Sequence, residues 1–117
     1  MSEKEFIGCI VEESIDDNRE LNGLQVIEIK ITGEPDPANR WHIYKVVADK
    51  AEIEKIWHHL KEGWYMHFWK ADRQNMTIYF KGKKFEIMAG YKSTWTAAVE
   101  YGKSVGIPEE QLDFEIE

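Results

Sequence analysis

A chain of 117 residues with 43% hydrophobic and 13% aromatic content suits one domain, which at this size buries roughly two thirds of the surface its unfolded chain exposes. A net charge of −7 argues against a general nucleic-acid binder, whose affinity comes from neutralising phosphates, and no apolar run approaches the ~20 residues of a spanning helix. One cysteine, Cys9, rules out an internal disulfide, and the acidic start Met1-Ser2-Glu3-Lys4-Glu5 lacks a signal-like apolar region, so the expectation is a cytoplasmic protein with no membrane partner.

No linker, low-complexity run or internal repeat divides the chain, which is expected to form one domain over 1–117. A first strand is predicted over 6–11, with Phe6, Gly8 and Ile10 on one side and Ile7, Cys9 and Val11 on the other. Apolar residues on both sides point to a central strand. Asp16-Asp17-Asn18 opens a turn or short helix that ends near Asn22-Gly23. Residues 25–32 alternate, Ile27, Ile29 and Ile31 against Glu28 and Lys30, as a strand with one wet face does. The prolines of Gly33-Glu34-Pro35-Asp36-Pro37 mark a loop, because they cannot donate to a ladder. A third strand follows over 41–47. Asp49 and Glu52 form a capping-box pattern ahead of Ile53, Ile56, Trp57 and Leu60, a buried stripe at helical spacing that Gly63 closes.

The next segment, Trp64-Tyr65-Met66-His67-Phe68-Trp69, breaks the alternation of a half-buried strand. Trp64, Met66 and Phe68 share one face; Tyr65, His67 and Trp69 share the other. One trio can line the core, while the second has the polar tips and apolar bodies of a contact surface or pocket wall. A turn at Gly82-Lys83 sets Phe80 opposite Phe85, Ile78 opposite Ile87 and Tyr79 opposite Glu86. A five-residue connection over 71–75 then places Phe68 opposite Ile78 and gathers Tyr65, His67, Trp69 and Tyr79 on an outer face. A four-residue connection would turn every side chain of 64–69 over and bury Tyr65, His67 and Trp69. The five-residue register is preferred because it buries no imidazole.

Ser93 or Thr94 caps a second helix with Trp95, Ala98, Val99 and Gly102 inward, and Gly106 and Pro108 end it. Residues 109–112 add a turn, and Phe114 and Ile116 are placed to dock as a terminal strand or clasp. The expected fold class is α+β: a mostly antiparallel sheet of about six strands in the order βββαβββα, with two helices packed on one face.

Four phrases together, 6–14, 64–69, 79–85 and 100–108, resemble a group of small conserved hypothetical prokaryotic proteins of unknown function, of the structural-genomics kind. The resemblance spans nearly the whole chain. It implies a small, self-contained cytoplasmic protein and carries no activity or catalytic residue to this sequence.

Few constellations carry chemistry. His58 and His59 point about 100° apart on a helix and do not easily share one ion, and a zinc site joining Cys9 to one or more of His42, His58, His59 and His67 would need a coincidence of folding. Cys9 in an apolar strand beside Gly8 reads as a small core residue, and Glu12, Glu13, Asp16 and Asp17 lack calcium-loop spacing and read as solvated. No phosphate loop, nucleophile elbow or paired-carboxylate motif occurs, and no cofactor is expected. Between Lys61 and Lys103 eight Lys/Arg stand against four acids, which leaves room for an anionic group near the middle of the chain.

The strongest candidate is the face Tyr65, His67, Trp69 and Tyr79, with Lys81, directly opposite Lys84, as well as Lys83 and Arg73 supplying charge at its rim. Trp41 and Tyr44 would extend this face if the third strand neighbours the strands of 64–88. Its plain alternative is packing under the loop 33–40 or the C-terminal segment 114–116. The expected function is a non-enzymatic binding module for a small molecule or a protein partner, in which Trp69 and Tyr65 can both become Ala without unfolding. The alternatives are a small enzyme using His67 as acid or base with Cys9 or Tyr79 nearby, and an oligomerisation domain whose aromatic face closes a homodimer. Aromatic strands beside lysines can stack single-stranded bases, but the acidity makes nucleic acid the weakest reading.

Overall fold

A computed structural model of the chain describes residues 4–70 and 72–114. Six strands form one sheet: β1 (Phe6–Val11), β2 (Gln25–Ile31), β3 (His42–Ala48), β4 (Tyr65–Lys70), β5 (Asn75–Phe80) and β6 (Lys83–Met88). The spatial order is β2-β3-β1-β4-β5-β6, and every neighbouring pair is antiparallel. Helix α1 (Lys50–Trp57) links β3 to β4, and α2 (Thr96–Ser104) follows β6. The expected class, strand number and βββαβββα order hold, and β1 occupies the sheet centre as its two apolar sides require.

The helices divide between the two faces of the sheet instead of sharing one. Ile53 and Ile56 of α1 pack with Ile10, Val46, Ala48, Met66 and Phe68. Trp95 and Ala98, at the start of α2, pack with Cys9, Trp69, Met76, Ile78 and Ile87 on the other face. Because β3 and β4 both flank β1, α1 has to cross over β1, and it takes the Phe68 face. The chain leaving edge strand β6 then covers the Trp69 face. Both faces at the centre are therefore dry, which is why residues 64–69 read as a continuous apolar run rather than an alternation.

Register corrects the expected faces. Phe68 pairs with Thr77 and His67 with Ile78, the four-residue connection rather than the five-residue one. Asp72 closes that short turn by accepting from the Gln74 N–H at 2.9 Å, the Asn75 N–H at 3.1 Å and the Asn75 side-chain amide at 2.7 Å. Arg73 takes a positive φ of 57°, a conformation that costs a non-glycine residue energy and that the Asp72 bonds offset. The next turn is Lys81-Gly82, with Phe80 opposite Lys83, rather than Gly82-Lys83. Gly82 stands at the second turn position with φ 73°, where glycine is the residue of choice. Ile78 accordingly faces Phe85, Met76 faces Ile87 and Tyr79 faces Lys84. A two-residue slip preserves faces, so Ile78, Phe80, Phe85 and Ile87 still share one side; the one-residue slip at β4 inverts it.

The helix ends follow local chemistry. Asp49 accepts from the Glu52 N–H at 2.8 Å while Glu52 accepts from the Asp49 N–H at 3.0 Å, the expected capping box. The helix stops at Trp57, ahead of Gly63, which keeps a positive φ of 84° in the turn that follows. No side chain of Ser93 or Thr94 caps α2, which grows out of a 3-10 turn, Lys92–Trp95. Gly106 ends it with φ 94°, and the Ile107 N–H returns to the Gly102 carbonyl at 3.0 Å. Phe114 is buried as the expected clasp; Ile116 lies outside the described residues. No helix among the described residues is long and apolar enough to cross a membrane.

Candidate binding cleft

The inverted register sends Tyr65, His67 and Trp69 toward α2 and the C-terminal segment. Their rings form a stack along β4, with Tyr65 to His67 at 6.2 Å and His67 to Trp69 at 5.5 Å between centroids. Trp69 is 1% exposed, with the Lys45 ammonium 6.0 Å from its ring centroid. Phe114 meets Tyr65 edge-on at 5.3 Å and Trp95 at 5.5 Å. The aromatic face is thus mostly covered by the chain's own C-terminal segment.

The cover stops short of the β1 end of that face. A cleft of about 130 Å³ remains, lined by Cys9, Trp41, Ile43, Trp64, Tyr65, His67 and Gln111 among others. Trp41 and Trp64 meet edge-on at 5.1 Å to form one wall. The Tyr65 hydroxyl donates to the Gln111 carbonyl at 2.5 Å, which ties the C-terminal turn over the opening. Cys9 and His67, cross-strand partners on β1 and β4, are both buried at its floor. Gln111 and Asp113 bring polar atoms to the exposed rim. Chemically the cleft offers aromatic and aliphatic walls, an imidazole and a thiol beneath, and an amide and a carboxylate at the mouth. That is the make-up of a small-molecule site.

Of the residues singled out from sequence, Tyr65 and His67 line this cleft and Trp69 is packed in the core beside it. Tyr79 does not join them. It points to the α1 face, edge-on to Trp57 at 5.0 Å and to Phe68 at 6.0 Å, and burial raises its phenol above the ordinary range. An acid–base group of His67 with Tyr79 is therefore not assembled, whereas His67 with Cys9 is on one face. Lys81 lies in the exposed turn, and Lys84, opposite Tyr79 rather than Lys81, places its ammonium 5.8 Å from the Trp57 ring centroid. Neither lysine reaches the cleft. Trp41, one of the two residues offered as an extension of the face, joins the cleft through Trp64 although β1 separates β3 from β4, and Tyr44 does not line it; Trp64 and Gln111 are additions from the structure.

A second polar group sits where β1 gives way to the 3-10 turn Glu12–Ser14. Glu13 accepts from the His42 N–H at 2.9 Å and pairs with His42 Nδ1 at 2.7 Å. Burial pushes its carboxyl up, but the donors from His42 outweigh that and hold it below the usual range. The Tyr44 hydroxyl donates to Glu12 at 2.6 Å, and this bond, then burial, raises the phenol. Ligand atoms of Glu12, Glu13 and His42 lie within 4.8 Å of one another, yet both Glu13 oxygens already serve His42. The group is a tie between the exit of β1 and the start of β3. These acids, expected to be solvated, are partnered, as is His59, whose Nδ1 is 2.8 Å from Asp16.

No protein-family model, curated protein or solved structure matches this chain. No activity comes to it from a relative.

Proposed function

We propose that this domain is a non-enzymatic binding module that holds one small, planar, largely apolar group in the cleft between β1, β4 and the C-terminal turn. The observation that carries this reading is the cleft's size and wall chemistry: about 130 Å³ bounded by Trp41, Trp64 and Tyr65. Apolar cavities of roughly 150 Å³ take benzene, so the site fits a single aromatic ring or a short branched chain. Gln111 and Asp113 at the rim would read a polar substituent on that ring. A reducing cytoplasm suits a chain whose one cysteine forms part of the floor.

The test is an amide-correlation NMR titration with phenol and with indole. Trp41 and Trp64 wall the cleft, while Trp57, Trp69 and Trp95 belong to the two cores, so the five indole N–H signals report position. Selective shifts of the Trp41 and Trp64 signals are expected, and in Trp41→Ala, which lacks the first signal, the Trp64 shift should disappear. Signals that do not move, or that all move together, would overturn the reading.

One observation favours a second reading, an enzyme that uses the Cys9 thiol beside His67. An imidazole next to a thiol can draw off its proton and make a nucleophile, and these two residues are register partners. Native-state alkylation with iodoacetamide at neutral pH separates the readings. Fast modification of Cys9 supports a thiolate, and modification only on unfolding leaves Cys9 as a floor residue.

A further inference from the structure

We infer that the outer edge of β2 pairs with the same edge of a second copy of this chain, in an antiparallel register centred on Ile29. Among the described residues β2 is the end strand of the sheet and pairs with β3 alone. All seven of its residues are exposed, including Val26 at 37%, Ile27 at 49%, Ile29 at 55% and Ile31 at 54%. Among the described residues the only other large hydrophobic side chain so exposed is Tyr91. An edge strand with this much apolar side chain and a row of outward backbone donors and acceptors is a template for another strand.

The opposite edge of the sheet is built differently. β6 carries Lys83 and Lys84, both exposed, and charged edge residues discourage strand addition. β2 carries one lysine, Lys30, and it has Glu28 two residues away. Those two share a face, since Glu28 pairs with Lys45 and Lys30 with Ile43 of β3, while Ile29 and Ile31 pair with Tyr44 and His42 on the other face. Lys30 alone would be an ordinary guard against pairing. With Glu28 it becomes half of a self-complementary pattern.

Registers can be compared by their charges. With Ile29 opposite Ile29 of the second copy, Glu28 of each chain faces Lys30 of the other. Side chains on paired strands share faces, so the neighbouring registers differ by one residue in the position of the two-fold axis. One of them sets Glu28 opposite Glu28, and the other sets Lys30 opposite Lys30. Like charges directly opposite are unfavourable and opposite charges favourable, so both neighbours are disfavoured and the Ile29-centred register is selected. The β3 register skips Ile27, where it shifts between Val26 and Glu28, so regular pairing begins at Glu28, and the Glu28–Ile29–Lys30 centre lies within the regular stretch. The resulting contact is isologous, as a two-fold dimer requires. It joins two six-stranded sheets into one and leaves the cleft on each chain untouched.

The experiment uses the full chain and its mass in solution across a range of concentrations, by sedimentation equilibrium. Wild type is expected to reach twice the 13.8 kDa chain mass at micromolar concentration. Glu28→Lys and Lys30→Glu each turn two attractive pairs into repulsive ones, so each variant alone should dimerise at least about tenfold more weakly. An equimolar mixture of the two should recover the dimer. In that mixed pair the introduced lysine of one chain faces the introduced glutamate of the other, and the remaining Lys30 faces the remaining Glu28. That recovery also shows that the single variants remain folded. A wild type that stays monomeric would overturn the inference, as would single variants that dimerise as well as wild type or a mixture that fails to recover.

Discussion

Replacing Trp69 by Ala is expected to destabilise the fold by about 3–5 kcal/mol, the range for truncating a buried large aromatic. A domain of this kind has roughly 5–15 kcal/mol in all, so the variant loses a large part of its stability. The cost has two sources. The indole is 1% exposed and loses its burial, and the space it leaves lies between Met76 opposite and the stacked ring of His67, where neither neighbour can collapse to fill it. Urea denaturation followed by far-UV circular dichroism measures this directly. A loss under about 1 kcal/mol would mean that the Trp69 face is not packed beneath α2 and Phe114. The sequence-based expectation that Trp69 and Tyr65 can both be truncated without unfolding therefore falls away for Trp69. Trp41, half-buried at the cleft wall, is the residue whose loss separates binding from folding.

Gly8→Ala is the second large effect, and its origin is a close approach of two strands. A Cβ at Gly8 would overlap the Phe68 ring and sit 2.5 Å from the His67 carbonyl oxygen. The ring could turn, but the carbonyl belongs to the β1–β4 ladder and cannot move without moving β4. Overpacking typically costs about 1–3 kcal/mol and occasionally more; with backbone as the obstacle the upper end is expected. Gly102→Ala is the control, because there the three nearest atoms to a Cβ all belong to the side chain of Leu112, from 2.6 Å. A flexible leucine can give way, and alanine gains about 1 kcal/mol of helix propensity. Thermal melts of both variants should show a large drop for Gly8→Ala and a small change for Gly102→Ala. Equal drops would place the obstacle in side-chain packing rather than in backbone.

The contrast between what the residues announced and what they concealed is physical. The capping box of Asp49 and Glu52, the α1 stripe and the central place of β1 were legible because each rests on residues a few positions apart. The clasp by Phe114 was legible as one of two covers. The face of residues 64–69 was not, because it hinged on one residue of turn length. That residue was decided by Asp72 side-chain bonds and by a left-handed Arg73, where no glycine marked the conformation. Reluctance to bury His67 pointed the other way, and the structure buries it. The helix faces were hidden for a related reason, since they depend on the crossover of α1 above β1 and not on either helix's own pattern. Tyr79 and Lys84 dropped out of the candidate site by that same inversion and register change, and Gln111 entered it from a turn whose position no local rule gives. Trp41 was legible only on condition of a strand order that the sheet does not have, and it reaches the cleft across β1 by way of Trp64.

The central place of β1 bears on how the chain assembles. It precedes the other five strands in the chain, yet its partners are β3 and β4, and β4 ends only at Lys70. Every ladder bond joining β2–β3 to β4–β5–β6 runs through this one strand. The earliest of the six strands is thus the keystone that closes the sheet, and contacts of such long sequence separation slow folding. Until β1 is seated between its neighbours the molecule is a hairpin and a meander, each with a bare inner edge.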